Sequence, residues 1–228
     1  MKKLILAAFA ALSFTAFAQE GAKKFTVVKE NPITSIKDQH RSGTCWCYSG
    51  LSFFEAELLR MGKGDFDLCE SFVVEHTYMD RADRAVRTHG DVSYANGGSF
   101  YDVLYALKKY GIVPEGTMPF PGSLYGDSLF NFQELDPIMN GFVKSIAKSE
   151  AKKIPLTWKK EFAMILADYF GEYPTTFEYE GKTYTPQSFR DMLGLDLNDY
   201  VSLTSYTHEP FYESFILEIQ DNWRWASS

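Results

Sequence analysis

The chain has 228 residues, enough for one domain or two small ones. A hydrophobic share of 45% supplies a core, and an aromatic share of 16% makes that core bulky. The net charge of −7 and the lack of a Lys/Arg stripe exclude the electrostatic footprint of a nucleic-acid binder.

Met1-Lys2-Lys3 followed by the apolar run Leu4 to Ala18 reads as a secretory signal peptide. It has a basic start, an apolar middle and the small-residue site Ala16-Phe17-Ala18. Cleavage after Ala18 is expected, which places the remaining chain, 19–228, in the periplasm or outside the cell. The apolar run is short for a membrane span, and no second run reaches spanning length, so no membrane attachment is expected after cleavage.

Phe25-Thr-Val-Val28 predicts a strand, punctuated by Asn31-Pro32. Gln39 to Thr44 is a loop with Gly43 in its turn. From Cys45 the apolar residues Leu51, Phe54, Leu58 and Leu59 recur at helical spacing, which predicts a helix over 45–61 ended by Gly62-Lys63-Gly64. A second helix is predicted over 68–89 with Gly90 as its stop. Its Asp80, Arg81, Asp83 and Arg84 pair at three and four residues and read as a solvated charged face. Ser99 with Asp102 three residues on reads as a capped start for a helix over 100–110, closed by Gly111. Residues 115–128 read as a loop, and helices are predicted near 130–150 and 156–171. Phe177 to Tyr184 alternates around Gly181 and predicts a hairpin. Thr185 and Pro186 then open a short helix to Leu193. Strands are predicted over 200–206 and 215–219.

Cys45 falls at the start of its helix, where unpaired backbone N–H groups and the helix dipole favour a thiolate. Acyl transfer needs donors aimed at the developing oxyanion. The Cys45 N–H and the side-chain amide of Gln39, six residues earlier, can supply them if the loop folds back at Gly43. Cys47 and Cys69 are either core thiols or one disulfide. Cys-x-Cys lacks a matched second ligand pair, so neither a metal nor another cofactor is expected.

Gln39, Cys45, Trp46 and Tyr48-Ser49 resemble the nucleophile segment of the papain-like cysteine peptidases. Ser42-Gly43-Thr44-Cys45-Trp46 is most similar to the bleomycin hydrolase and aminopeptidase C branch. The run from Cys69 to Tyr78 and the Tyr110-Gly-Ile-Val-Pro114 run resemble that branch too. The resemblance covers about residues 27–225, with a helical insert at about 115–200. It implies an α+β papain-like fold, here mainly its helical nucleophile-bearing half, with the β-rich half that carries the catalytic His and Asn lying beyond Ser228. It implies a thiol aminopeptidase acting on peptides, with Cys45 as nucleophile and Gln39 in the oxyanion hole. Gly97 and Gly98 would pair with substrate backbone, Trp46 would line the same site, and a homo-oligomer would be the assembled form. The alternative is an inactive papain-like domain that binds a peptide or partner.

The missing piece is a base for the thiol proton. His40, His76 and His89 lack the context. His208 lies 163 residues after Cys45, where papain-type spacing is about 130–150, and Asn222-Trp223 follows. The turn Thr207-His208-Glu209-Pro210 does not resemble the strand that holds the family's base.

Overall fold

The computed structural model describes residues 25–92, 94–119 and 129–215. The chain divides into an N-terminal unit, Met1–Asn31, and a main unit, Pro32–Ser228. The predicted signal peptide lies outside the described residues. The strand expected over 25–28 does not form: these residues are irregular, and Phe25 and Val28 are almost fully exposed. An extended run needs a neighbour to pair with, and none is present among the described residues of that unit.

The main unit is rich in helix. In chain order it holds α1 (Cys45–Arg60), α2 (Glu70–Arg87), α3 (Phe100–Tyr110), α4 (Leu135–Ala147), α5 (Thr157–Phe170), β1 (Phe177–Tyr179), β2 (Lys182–Tyr184) and α6 (Pro186–Leu193). The described residues are thus mainly helical, and the sheet among them is one small hairpin.

Helix α2 is the central element and packs against α1, α3, α4 and α5. Twelve of its eighteen residues are buried, polar ones included. It ends where predicted, with Gly90 at φ +87° and its N–H on the Ala85 carbonyl at 2.8 Å. Helix α1 buries Leu51, Phe54 and Leu58 completely. Its Gly50 lets α3 come close, since a Cβ there would meet Val103 at 2.6 Å. The start of α3 is held as expected, with the Asp102 carboxylate accepting from the Ser99 N–H at 2.8 Å.

The hairpin turns at Glu180 and Gly181, both with positive φ, as a two-residue turn between right-twisted strands requires. Phe177, Tyr179 and Tyr184 ring the fully buried Phe189 of α6. Thr185 caps α6 by accepting from the Ser188 N–H at 3.1 Å. Residues 200–206, expected as a strand, are irregular and largely exposed; their alternation never meets a partner strand. Of the strand expected over 215–219, all but Phe215 lies outside the described residues.

Two ionisable features were not anticipated. Half-buried Lys37 joins Glu55 of α1 at 3.1 Å, Glu70 of α2 at 3.0 Å and the exposed Asp67 at 2.6 Å. Burial opposes its charge, but Glu70, Asp67 and Glu55 outweigh that and raise its pKa above the ordinary lysine value. Glu75, in α2, meets no such partner among the described residues. Its Oε2 makes no hydrogen bond among them, and burial pushes its pKa up to about 9.

Glu75 is thus protonated in the fold at neutral pH and ionised in the unfolded chain. A pKa raised on folding stabilises fully below the unfolded value, and that contribution fades as pH rises from about 4.5 to about 9. Stability should therefore fall by up to about 1.4 kcal/mol per pH unit across that window. Glu75→Gln should flatten the slope and melt higher than wild type above pH 7. A residual slope is expected from Glu115, whose pKa is pushed up to about 8 mainly by burial, then by Glu70. Urea unfolding at pH 5, 7 and 8.5 checks this; parallel slopes in the two proteins would contradict it.

Candidate active site

The loop before α1 is tied down from both ends. The Arg41 N–H donates to the Phe130 carbonyl at 3.2 Å, and the Phe132 N–H donates to the Arg41 carbonyl at 2.9 Å. His40 Nδ1 donates to the Phe130 carbonyl at 3.0 Å. Ser42 Oγ donates to the Gln39 carbonyl at 2.8 Å and lies 2.5 Å from Thr44 Oγ1. Gly43 stands at φ +65°, which turns the chain into the helix.

Thr44 is the N-cap of α1, and its carbonyl accepts from Cys47 N at 2.8 Å and Tyr48 N at 3.2 Å. The amides of Cys45 and Trp46 come before these first intrahelical bonds, so they belong to the orphan donors of a helix start. Cys45 is exposed, whereas Cys47 and Cys69 are fully buried free thiols. Burial raises the pKa of both buried thiols well above the ordinary value. The sequence left Cys47 and Cys69 open between core thiols and a disulfide; they are core thiols, and Cys47 donates to the Glu70 carbonyl at 3.7 Å.

The segment Ala95–Gly98 lies against this helix start. Trp46 Nε1 donates to the Asn96 carbonyl at 2.9 Å, and Asn96 Nδ2 donates to Asp136 Oδ2 at 2.6 Å. A Cβ on Gly43 would meet Asn96 Nδ2 at 2.6 Å. A Cβ on Gly98 would meet Trp46 Cδ2 and Asp102 Oδ2 at 2.7 Å each, and Arg81 Nη2 closer still. Trp46 itself is only 4% exposed, so what it presents at the site is the segment it carries. The fold thus sets Gly43 and Trp46, on either side of Cys45 in sequence, against the 95–98 segment, with Gln39 half-buried on the adjoining loop.

Arg81 corrects the sequence reading. Expected on a solvated face, it is 3% exposed and forms a buried ion pair with Asp102 at 3.0 Å. The signal was present in the spacing: Val74, Tyr78, Arg81 and Ala85 share one face of α2, and the other three are buried. Asp80 and Asp83 meet cations across the fold, and Asp83 also pairs with Arg87 one turn along α2 at 3.8 Å. Asp80 accepts from Lys109 Nζ at 2.8 Å, Tyr110 Oη at 2.6 Å and Tyr105 Oη at 2.9 Å, and Asp83 meets Lys159 at 2.5 Å.

His40 sits on the loop before α1, and the other histidines lie elsewhere. His76 is stacked between Tyr110 and Tyr173, with ring centroids 4.0 and 4.1 Å away. Burial lowers its pKa to about 3, too weak a base to take a thiol proton. His89 is exposed beyond α2. His208 is exposed and stacks on Tyr206 in the irregular 200–215 stretch, and Asn222 lies outside the described residues. Among the described residues no group of three His, Cys, Asp or Glu side chains is placed to hold a metal, and no helix is long and apolar enough to cross a membrane. A groove of about 500 Å³ between α2 and α4, lined by Val92, Tyr94, Asn140 and Lys144, contains none of the predicted site residues.

Close backbone approach at Gly98 gives a direct test. The three groups that an added methyl would strike are a buried indole and a buried ion pair, none free to move aside. Gly98→Ala should cost about 1–3 kcal/mol. Gly141→Ala, in α4 with nothing within 4 Å of the new methyl, should be neutral or stabilise by up to about 1 kcal/mol. Urea midpoints measure both, and a neutral Gly98→Ala would contradict the packing.

A cysteine opens α1, and the Gly97–Gly98 segment docks on the tryptophan that follows it. The solved structure of PepW from Lactobacillus rhamnosis shares this fold, with a TM-score of 0.56 and 22% identity over 76% of this chain and 47% of that one. In sequence the chain is similar to aminopeptidase G of Lactobacillus delbrueckii subsp. lactis, 26% identical over 85% of this chain and 52% of the relative. It is similar to aminopeptidase E of Lactobacillus helveticus, 25% identical over 82% and 51%, and to aminopeptidase C of Listeria monocytogenes, 22% identical over 82% and 50%. The chain spans about half the length of the curated relatives it matches. No family model matches it. The aminopeptidase resemblance read from Ser42 to Trp46 thus extends over most of the chain.

Proposed function

We propose that this chain is the nucleophile-bearing portion of a cysteine-type aminopeptidase that acts on peptides. One observation carries the reading: Cys45 is the exposed thiol of the three, at the first position of α1 and next in sequence to Trp46, on which the 95–98 segment docks. In this reading the Cys45 thiolate attacks the carbonyl of the scissile bond. The Cys45 N–H and the Gln39 side-chain amide receive the oxyanion, which is where such donors contribute most. The peptide backbone pairs with Gly97 and Gly98, and Trp46 supports them from below. The base and the residue that orients it come from residues other than those described. The names of the relatives support aminopeptidase action. The signal-peptide composition of residues 1–18 supports a periplasmic or secreted location.

The test is thiol-dependent turnover of an aminoacyl nitrophenyl ester. Wild type should release nitrophenol with a burst of acyl-enzyme, and Cys45→Ala should lose the burst and the turnover. Peptide binding without any acylation would favour a binding domain instead.

A further inference from the structure

Arg81 spends its donors in an unusual way for a helix residue. Nη2 meets Asp102 of α3 at 3.0 Å. Nη1 donates to the Ala95 carbonyl at 2.9 Å and also to the Gly97 carbonyl. The guanidinium carbon lies 4.8 Å from the centroid of the Trp46 ring. One buried cation therefore touches α3, the 95–98 segment and the residue after Cys45.

Helix packing alone does not call for this arrangement. A buried ion pair is often no more stabilising than apolar side chains of similar volume. What the planar, multi-donor guanidinium adds is orientation, because its fork fixes two carbonyls relative to one carboxylate. With the Gly97 carbonyl taken by Arg81, Gly98 is left as the member of the pair whose peptide group has no such bond among the described residues. Its α-carbon is meanwhile pressed against Trp46, Arg81 and Asp102.

We propose that Arg81 is a positioning residue that sets the peptide planes of Ala95–Gly98 for the backbone of a bound peptide. It governs affinity for extended peptides and leaves the intrinsic reactivity of Cys45 alone. This rests on reading Gly97–Gly98 as the substrate strand.

The experiment alkylates Cys45 in the full chain with two reagents. Iodoacetamide reports the thiol itself, and a dipeptidyl chloromethyl ketone, whose methylene carbon bonds to the thiolate sulfur as chloride leaves to solvent, reports the peptide subsite as well. Wild type should saturate with the peptidyl reagent. Arg81→Met and Arg81→Lys should each raise the half-saturation concentration about tenfold or more, as expected for lost charged hydrogen bonds. The limiting rate and the iodoacetamide rate should stay within about twofold of wild type. Lysine keeps a charge opposite Asp102 but cannot span both carbonyls, so Arg81→Lys decides the matter if Arg81→Met fails to fold. An unchanged half-saturation in folded Arg81→Lys overturns the proposal and leaves the Gly97–Gly98 reading standing. A parallel loss with iodoacetamide overturns it too, because the effect is then structural. Absence of saturation in wild type overturns the substrate-strand reading and this proposal with it.

Discussion

Native protein treated with iodoacetamide should be modified on one thiol of three, and that thiol should be Cys45. It is exposed at the head of α1, whereas Cys47 and Cys69 have no accessible surface. A buried thiol reacts only when the structure opens. For a domain of ordinary stability the open fraction is about 10⁻³–10⁻⁶, so Cys47 and Cys69 should lag Cys45 by at least about 10³-fold. Their thiolates are further disfavoured by burial, which raises both pKa values. Urea above the unfolding midpoint should bring all three rates within about tenfold of one another, since the unfolded thiols differ little. Mass mapping of the alkylated peptides measures this. Faster labelling of Cys47 or Cys69 in the native state would remove Cys45 as the nucleophile.

The helices were legible because their signals are local. Ser99 with Asp102, Thr185 with Pro186, and the glycines at 90 and 111 all act within one or two turns of the residues they stop or start. The loop that enters α1 was legible for the same reason: Gln39, Gly43, Cys45 and Trp46 lie within eight residues, and the geometry of a loop entering a helix follows from them. What stayed hidden depends on residues far apart in the chain. Arg81 looks like a surface charge until α3 brings Asp102 to it, 21 residues later. Lys37 gathers Glu55, Asp67 and Glu70 from two helices and the loop between them, and no spacing rule anticipates that. The strands expected at 25–28 and 200–206 failed for the converse reason. Alternating residues specify a strand only when a neighbour accepts the ladder, and none is present there among the described residues.

Cleavage of an amide by this chain alone should be slower than cleavage of the matching activated ester by far more than their intrinsic difference. In the proposed reading, a Cys45 thiolate with oxyanion donors beside it can attack either carbonyl. A nitrophenolate then leaves without help, but an amine must receive a proton, and general acid–base assistance is worth about 10²–10⁴-fold. His76 cannot give that assistance, held neutral between Tyr110 and Tyr173 with a pKa near 3. His208 is exposed on the irregular 200–215 stretch, where its recorded ring contact is Tyr206. Burst and steady-state rates for an aminoacyl amide and its nitrophenyl ester, in wild type, Cys45→Ala and His208→Ala, decide the point. The expected pattern is ester turnover lost in Cys45→Ala, amide turnover at least about 10²-fold below a competent cysteine peptidase, and His208→Ala indistinguishable from wild type. Robust amide turnover abolished by both substitutions would promote His208 to the base. Robust amide turnover abolished by Cys45→Ala alone would place the proton donor on a residue other than His76 and His208 or on a second chain, and gel filtration of the active species would separate those two cases.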